Sequence, residues 1–167
     1  MKLKMKKSLS VWLLMMLFLQ NTLTVTSFAS NEATLPLEWN LSLMYADEAA
    51  FESGLKYVSQ TAVSEMQAFK GKLSDDATLL KALKLYEKAS IENTKLYVYA
   101  SMLQDTDSTN SQYTAFNSKA TAASSAFENA CAFLQEEVLK RDDANITALT
   151  QKPEFKKYKG LLEGMIQ

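Results

Sequence analysis

Histidine is absent from this sequence of 167 residues, and cysteine, proline and glycine are scarce, at one, two and four residues. Without histidine the chain cannot form an H-E-x-x-H zinc site, a Ser-His-Asp triad or a thiol–imidazole pair. Its single cysteine, Cys131, cannot form an internal disulfide either. We therefore expect Cys131 to be a small buried side chain on a helix face, in a fold that depends on a packed core.

The scarcity of glycine and proline favours long, uninterrupted helices over a turn-rich β-sandwich or barrel. Hydrophobic residues make up 47% of the chain and charged residues 22%, which is ordinary for a globular protein. The 18 basic and 19 acidic side chains give a formal net charge of -1; residues 1–29 hold four of the lysines and no acid, so without them the charge is -5. Such a mildly acidic chain has no electrostatic footprint for nucleic acid or for an anionic membrane surface, so neither is expected as a partner.

The first 29 residues have the layout of a secretory signal peptide. Lysines cluster in residues 1–7, an unbroken apolar run follows at 11–19, and small residues flank position 28 before a predicted cut after Ala29. The apolar run is shorter than the roughly 20 residues that a membrane helix needs, so no stable membrane anchor is expected. These features predict export to the cell envelope or the medium, with an uncleaved signal anchor as the open alternative.

The rest of the sequence is predicted to contain an extended leader at residues 30–45 and one helical domain at 46–167. Three long helices are expected in that domain, because apolar residues recur there at steps of three and four. The three apolar stripes run from Phe51 to Leu73, from Leu79 to Ala100 and from Tyr113 to Val138. Short links force successive helices to alternate in direction, so we predict an all-α antiparallel array of three long helices.

Two shorter helices are predicted to complete the array at its C-terminal end. One begins at Asp143 and extends to about residue 152, and the other begins at Pro153, a residue that suits the first turn of a helix. The sequence then stops on the apolar residues Met165 and Ile166, without a capping residue or a polar tail. We interpret this stop as a cut inside a larger fold; the alternative is that these residues dock on the chain's own bundle.

Three groups of side chains could suggest chemistry, and each has a plainer structural explanation. Asp105 and Asp107 resemble the start of a calcium loop, but the glycine and the terminal glutamate of such a loop are missing, so a capping loop is expected. Glu136 and Glu137 are adjacent and should point to different helix faces, which is poorly suited to shared acid–base work, so both are expected to be solvated. Four tyrosines at helical spacing are expected in the core with their hydroxyls at its rim: Tyr86, Tyr97, Tyr99 and Tyr113. No catalytic, cofactor-binding or metal-binding residue is therefore predicted in this chain.

Short motifs in three regions together resemble the N-terminal helical domain of the oligoendopeptidase F family, which are thimet-like zinc metallopeptidases. The first, W-N-L-S-L-M-Y at 39–45, is similar to the family's W-D-L-S-x-L-Y opening, with Asn40 in place of the usual aspartate. The second is F-K-G-K-L at 69–73, and the third is L-Y-V-Y-A-S at 96–101 with D-T-D-S-T-N at 105–110. Their order and helical context extend the resemblance over residues 35–167.

The resemblance implies an all-α enzyme that encloses a deep channel, with zinc held by H-E-x-x-H and a more distant glutamate. It also implies that the N-terminal domain helps to wall this channel, which restricts substrates to short, extended peptides. This sequence departs from the family because it contains no zinc-binding segment, so no catalytic or metal residue is carried over to any position. We therefore expect the catalytic domain to be absent, zinc to belong only to that domain, and the chain to be inactive by itself.

Two interpretations follow, and they imply different partners. In the preferred one, the chain is the N-terminal domain of an exported oligoendopeptidase, and its partner is the missing catalytic lobe, with short peptides as substrates of the complete enzyme. This predicts an exposed apolar surface and a tendency to self-associate. In the alternative, the chain is an independent secreted helical module that binds a protein partner through one helix face.

Overall fold

The computed structural model of the chain describes residues 39–166, and every regular element in that range is helical. The predicted signal peptide and residues 30–38 of the predicted leader lie outside the described residues. The α-helices are α1 (Glu48–Lys56), α2 (Val63–Gln67), α3 (Asp76–Thr106), α4 (Ser111–Cys131), α5 (Phe133–Val138), α6 (Asp143–Thr150) and α7 (Lys159–Gly164). A π segment, Tyr57–Ala62, joins α1 to α2, and two 3-10 segments lie at Leu41–Leu43 and Pro153–Tyr158. The all-α prediction is confirmed, and the part of the predicted extended leader from residue 39 onward contains a helical turn.

Aspartate or asparagine caps four of these helices at their N-termini. The side chains of Asp47, Asp75, Asn110 and Asp142 accept hydrogen bonds from backbone N–H groups in the first turns of α1, α3, α4 and α6. Each cap satisfies donors that have no partner inside the helix, and a carboxylate there also interacts favourably with the helix dipole. The cap of α6 is Asp142, one residue before the predicted Asp143.

The first predicted helix contains a π segment that its apolar spacing explains. Val58, Ala62 and Met66 lie four residues apart and are all fully buried. Two consecutive steps of four overshoot regular α-helical turns by about 40° each. The wider turn of Tyr57–Ala62 absorbs this excess and keeps the three side chains facing the core.

This helix also ends earlier than predicted, at Gln67 rather than near Leu73. A series of turns follows, in which Gly71 has a positive φ of 81°. Glycine adopts this left-handed conformation without steric cost, which explains its presence here. Leu73 is still fully buried, but it reaches the core from the loop.

The third predicted helix is likewise divided, between α4 and α5. The division falls at Ala132, which is exposed, and it places the neighbouring Phe133 and Leu134 both in the core. Ala132 keeps helical backbone angles, with φ at -56° and ψ at -31°, so the division is a local break in the helical hydrogen bonding. The last predicted helix is also divided, into the 3-10 segment Pro153–Tyr158 and α7.

Side-chain contacts define how the three longest helical runs lie against one another. Along α3 and α4, residues near the end of one helix meet residues near the start of the other: Tyr86 with Phe127, Asn93 with Ser124, and Gln104 with Asn117. These two helices therefore run in opposite directions. Helix α1 runs parallel to α4, because Glu48 bonds Gln112 and Glu52 bonds Lys119.

The core is centred on Phe51 of α1, which is fully buried. Its ring centroid lies 5.6 Å from that of Tyr45, 5.3 Å from that of Tyr99 and 4.9 Å from that of Phe116. Such edge and tilted contacts between aromatic rings contribute about 0.5–1.5 kcal/mol each beyond the burial of their area. The cluster joins the entry segment before α1 to both α3 and α4.

Candidate functional site

Cys131, the candidate nucleophile that the sequence disfavoured, lies at the end of α4 and is buried. Burial, with a smaller contribution from the nearby Glu128 carboxylate, raises the pKa of the Cys131 thiol to about 12. The reactive form of cysteine is the thiolate, which is scarce at neutral pH when the pKa is this high. The side chain therefore serves as a small core residue, as predicted.

Asp105 and Asp107 lie at the junction of α3 and α4, where Asp107 stabilises the turn that connects the two helices. The Asp107 carboxylate accepts hydrogen bonds from the backbone N–H of Thr109 at 3.0 Å and from its hydroxyl at 2.7 Å. These bonds, with the hydroxyl contributing most, lower the pKa of Asp107. Asp105 lies in the last turn of α3, where its side chain is exposed. The two carboxylates thus have separate environments, which fits turn formation rather than shared ligation.

Glu136 and Glu137 diverge, as their adjacent positions on a helix predict. Glu136 lies 3.7 Å from the Lys140 ammonium, and its side chain is 76% exposed. Glu137 instead accepts hydrogen bonds from the backbone N–H groups of Gly71, at 2.5 Å, and Leu73, at 3.2 Å. It therefore fixes the loop before α3, a structural role that the expectation of a solvated pair missed.

The four tyrosines do not form one binding face. Tyr99 is buried, and Tyr86 and Tyr113 are half-buried against the core, as predicted. Tyr97 differs, because 53% of it is exposed on α3. The helical spacing did not distinguish it, since Tyr97 is next to Leu96, which is fully buried, and lies on the edge of the same apolar stripe.

A polar cluster around Arg141 was not identified from the sequence. The Arg141 guanidinium donates to the Asp76 carboxylate at 2.7 Å and to the carbonyls of Leu73 and Ser74 at 2.9 and 2.7 Å. Lys152 donates to the other Asp76 oxygen at 2.6 Å. The hydrogen bond from Lys152, followed by that from Arg141, holds the pKa of Asp76 below its usual range. The cluster joins the start of α3 to the segments on both sides of α6.

A second cluster connects the entry segment to α3. The Tyr45 hydroxyl donates to the Glu92 carboxylate at 2.6 Å, and the Lys95 ammonium lies 4.1 Å from the Tyr45 ring centroid. Burial, and then the Glu92 carboxylate, raise the pKa of Tyr45. Gly54 is required beside this pair, because a Cβ there would lie 2.8 Å from a Glu92 oxygen and 2.9 Å from the Tyr45 hydroxyl. Since the phenol remains protonated, the cluster fixes the entry segment and offers no base.

The residues of this chain do not fit the zinc ion that the resemblance implies. The sequence contains no histidine. Within residues 39–166, no three cysteine, aspartate or glutamate side chains lie close enough together to hold a metal ion.

Two further properties concern the surface of the molecule. In the part of the chain from Trp39 to Ile166, no helix combines the length and the apolar character needed to cross a bilayer. Large hydrophobic side chains are nevertheless exposed at five positions of that range: Trp39, Leu43, Ile91, Tyr97 and Leu139.

Comparison with curated proteins shows several similar peptidases. The chain is 30% identical to the group B oligopeptidase PepB of Streptococcus agalactiae over 128 residues, which are 75% of this chain and 21% of that protein. It is 36% identical over 111 residues to the chromosomal oligoendopeptidase F of Lactococcus lactis subsp. cremoris, covering 66% of this chain and 18% of the relative. It is 29% identical over 127 residues to the oligopeptidase PepF of Bacillus subtilis, covering 75% and 19% respectively.

These matches cover most of the chain but little of each relative. The chain spans about a fifth of the length of the curated relatives it matches. No protein-family model matches the sequence. No solved structure matches it either.

Proposed function

Because this chain belongs to the oligoendopeptidase F family, we propose that it is the N-terminal, non-catalytic domain of an exported zinc metallopeptidase of that family. In this role it helps to wall the channel through which short peptides reach the catalytic domain. The observation that carries the proposal is the unequal coverage: the matches span 66% to 75% of this chain but 18% to 21% of the relatives. A segment of that size fits one domain of a longer enzyme.

The proposed domain is a scaffold and not a catalyst. Its polar clusters around Arg141 and Tyr45 bond elements of the fold to each other, and Cys131 is buried as a thiol. The zinc-dependent hydrolysis of short peptides belongs, in this proposal, to a catalytic domain that these 167 residues do not supply. The chain is accordingly inactive by itself.

The export of the enzyme is supported by the sequence of residues 1–29. Four lysines, a short apolar run and small residues around the proposed cut after Ala29 are the parts of a signal peptide. N-terminal sequencing of the exported protein tests this point, and we expect the first residue to be Ser30. A mature protein that begins at Met1 would contradict it.

The channel-wall role can be tested with a chimera of the Lactococcus lactis oligoendopeptidase F in which the 111 matched residues are replaced by those of this chain. The assay uses internally quenched peptides of increasing length, with this chain alone as the matched control. We expect the folded, zinc-loaded chimera to cleave short peptides only, and the chain alone to show no chelator-sensitive cleavage. Chelator-sensitive cleavage that stays with the purified chain would overturn the inactive-scaffold proposal. A folded chimera that cleaves long unfolded proteins would overturn the gating role.

A second candidate function is that of an independent secreted helical module that binds a protein through one helix face. It is favoured by a single observation, the exposure of Ile91 in the middle of α3, where 65% of the side chain is accessible. Exposed apolar residues at helical spacing are typical of surfaces that bind another helix. Recovery of this chain from the culture medium as a separate protein, without any catalytic domain, would favour this candidate.

A further inference from the structure

One face of α3 carries three apolar side chains that are exposed or only partly covered within the described residues. Ile91 is 65% exposed, and Val98 and Met102 are partly exposed. None of these three side chains packs against the buried core, whereas the nearby Leu96 and Ala100 are fully buried in it. Since the three residues are separated by seven and by four positions, they lie along one line of the helix.

This line belongs to a longer series that we name the α3 stripe: Lys84, Lys88, Ile91, Lys95, Val98, Met102 and Asp105. Its members follow each other at alternating steps of four and three residues. This spacing is typical of a helix face that packs against another helix at a shallow angle. The stripe therefore has the pattern of a helix-binding surface on the side of α3 that faces solvent.

Two lysines of the stripe direct their charges away from its centre. The Lys88 ammonium lies 5.1 Å from the centroid of the Tyr57 ring, and the Lys95 ammonium lies 4.1 Å from that of Tyr45. Lys95 is also 3.7 Å from a Glu92 carboxylate oxygen, which offsets its charge. Lys88 and Lys95 lie three residues before and four residues after Ile91, so on the helix their aliphatic stems are its neighbours along the stripe.

The two ends of the stripe carry opposite charges. Lys84 and Asp105 are both exposed, and neither forms an ion pair with another side chain of residues 39–166. When two such stripes lie antiparallel so that Ile91 faces Val98, the same register places Lys84 opposite Asp105. Apolar and charged contacts are therefore both satisfied in one arrangement.

We propose that a second copy of this chain packs antiparallel on the α3 stripe and forms a two-fold symmetric dimer. The symmetry axis passes between Thr94 and Lys95, where the exposed threonine allows close approach. Ile91 of each copy packs on Val98 of the other, and Lys84 of each copy faces Asp105 of the other. Such reciprocal contacts are what a two-fold interface requires. This inference goes beyond the proposed function and does not depend on it.

The dimer is expected to be weak, because the contact between single helices is small. Interfaces below roughly 1,200 Å² of total buried surface are typical of transient complexes. We accordingly expect a dissociation constant of about 10–100 μM, which corresponds to an association free energy between the values for micromolar and millimolar binding. Exposed ion pairs add little to such a contact, so Lys84 and Asp105 should mainly select the antiparallel register.

Sedimentation equilibrium of the full chain tests the dimer, with all variants made in the same chain so that residues 1–38 contribute equally. Ile91→Glu should weaken association at least about tenfold, because two carboxylates would enter the apolar centre of the interface. Leu139→Glu is the matched control, since Leu139 is 46% exposed but lies outside the stripe. This control should associate like the original chain.

A charge exchange tests the register separately. Lys84→Glu should weaken the dimer about threefold because it faces Asp105 of the other copy. Lys84→Glu combined with Asp105→Lys should restore the dissociation constant to within about twofold of the original value.

A chain that stays monomeric to about 1 mM, roughly ten times the weakest dissociation constant expected for a small interface, would overturn the proposed dimer. If Ile91→Glu and Leu139→Glu weaken association equally, the dimer contact does not lie on the α3 stripe, and the proposal is wrong. Failure of the double exchange to restore association would overturn the antiparallel register.

Discussion

At the scale of single residues, Arg141 joins distant parts of the chain through three hydrogen bonds. Its guanidinium bonds the Asp76 carboxylate and two backbone carbonyls, and its side chain is only 16% exposed. We predict that Arg141→Met destabilises the fold by about 2–3 kcal/mol, since the two carbonyls and the carboxylate lose their donor. Urea unfolding followed by circular dichroism measures this loss.

The neighbouring Lys140 supplies the matched control for Arg141. Its side chain is 67% exposed, and among residues 39–166 its ion-pair partner is Glu136, at 3.7 Å. Lys140→Met should therefore change the unfolding free energy by less than about 0.5 kcal/mol. Arg141→Lys should recover only part of the loss, because an ammonium cannot reproduce the planar set of donors. Equal effects of the two methionine substitutions would contradict the role given to Arg141.

Cys131 allows a test of burial through its chemistry. Because burial raises its pKa to about 12, roughly one native molecule in ten thousand carries the thiolate at pH 8. We predict that the native protein reacts with a thiol-specific disulfide reagent at least about a hundredfold more slowly than the urea-unfolded protein. The native rate should continue to rise with pH through pH 10, whereas the unfolded chain should level off above about pH 8.5. A native rate that levels off near pH 8.5 would show that the thiol is accessible and unperturbed.

At the scale of secondary structure, two glycines have opposite roles that a single substitution distinguishes. Gly71 has a φ of 81°, and we predict that Gly71→Ala destabilises the fold by about 1–2 kcal/mol because L-residues are strained there. Gly160 lies in α7, with no atom within 4 Å of an added Cβ. Gly160→Ala should therefore stabilise the fold by about 0.5–1 kcal/mol. Thermal unfolding of both variants measures the two changes, and a shift of the same sign in both would contradict this assignment.

The existence of the helices could be predicted from the sequence, but their interruptions could not. Apolar spacing and capping residues are local signals: the predicted stripes lie in helices, and α1 and α3 begin directly after the capping residues Asp47 and Asp75. The π segment Tyr57–Ala62 coincides with two consecutive steps of four in the apolar spacing, but the same spacing also predicts an undivided α-helix. The division at Ala132 has no comparable signal in the sequence, because tertiary packing can override local preference.

The polar clusters were beyond sequence analysis for a related reason. Arg141 and Asp76 are separated by 65 residues, and Tyr45 and Glu92 by 47. Each charge has an ordinary explanation as a solvated surface residue when the sequence is considered alone. Glu137 was expected to be solvated for this reason, although it bonds the backbone of the loop before α3. Only the fold brings these partners together.

At the scale of the whole molecule, the chain has a continuous helical core, and within residues 39–166 no three cysteine, aspartate or glutamate side chains lie close enough together to hold a metal ion. Its relatives are named as oligopeptidases, and each is several times longer than the stretch it shares with this chain. The family could be inferred from short motifs such as that at residues 39–45, because their order along this sequence is the one that the resemblance implies. The catalytic chemistry of the proposed enzyme has to come from residues outside this sequence.

The central claim, that these 167 residues are one domain of an exported zinc peptidase, is tested most directly by the intact mass of the native protein in the culture supernatant. We predict a mass several times the 18.7 kDa of this chain, with tryptic peptides that include an H-E-x-x-H segment. A mass near that of this chain without residues 1–29, and no larger species containing its peptides, would contradict the claim. In that case the protein would function as a separate secreted helical module.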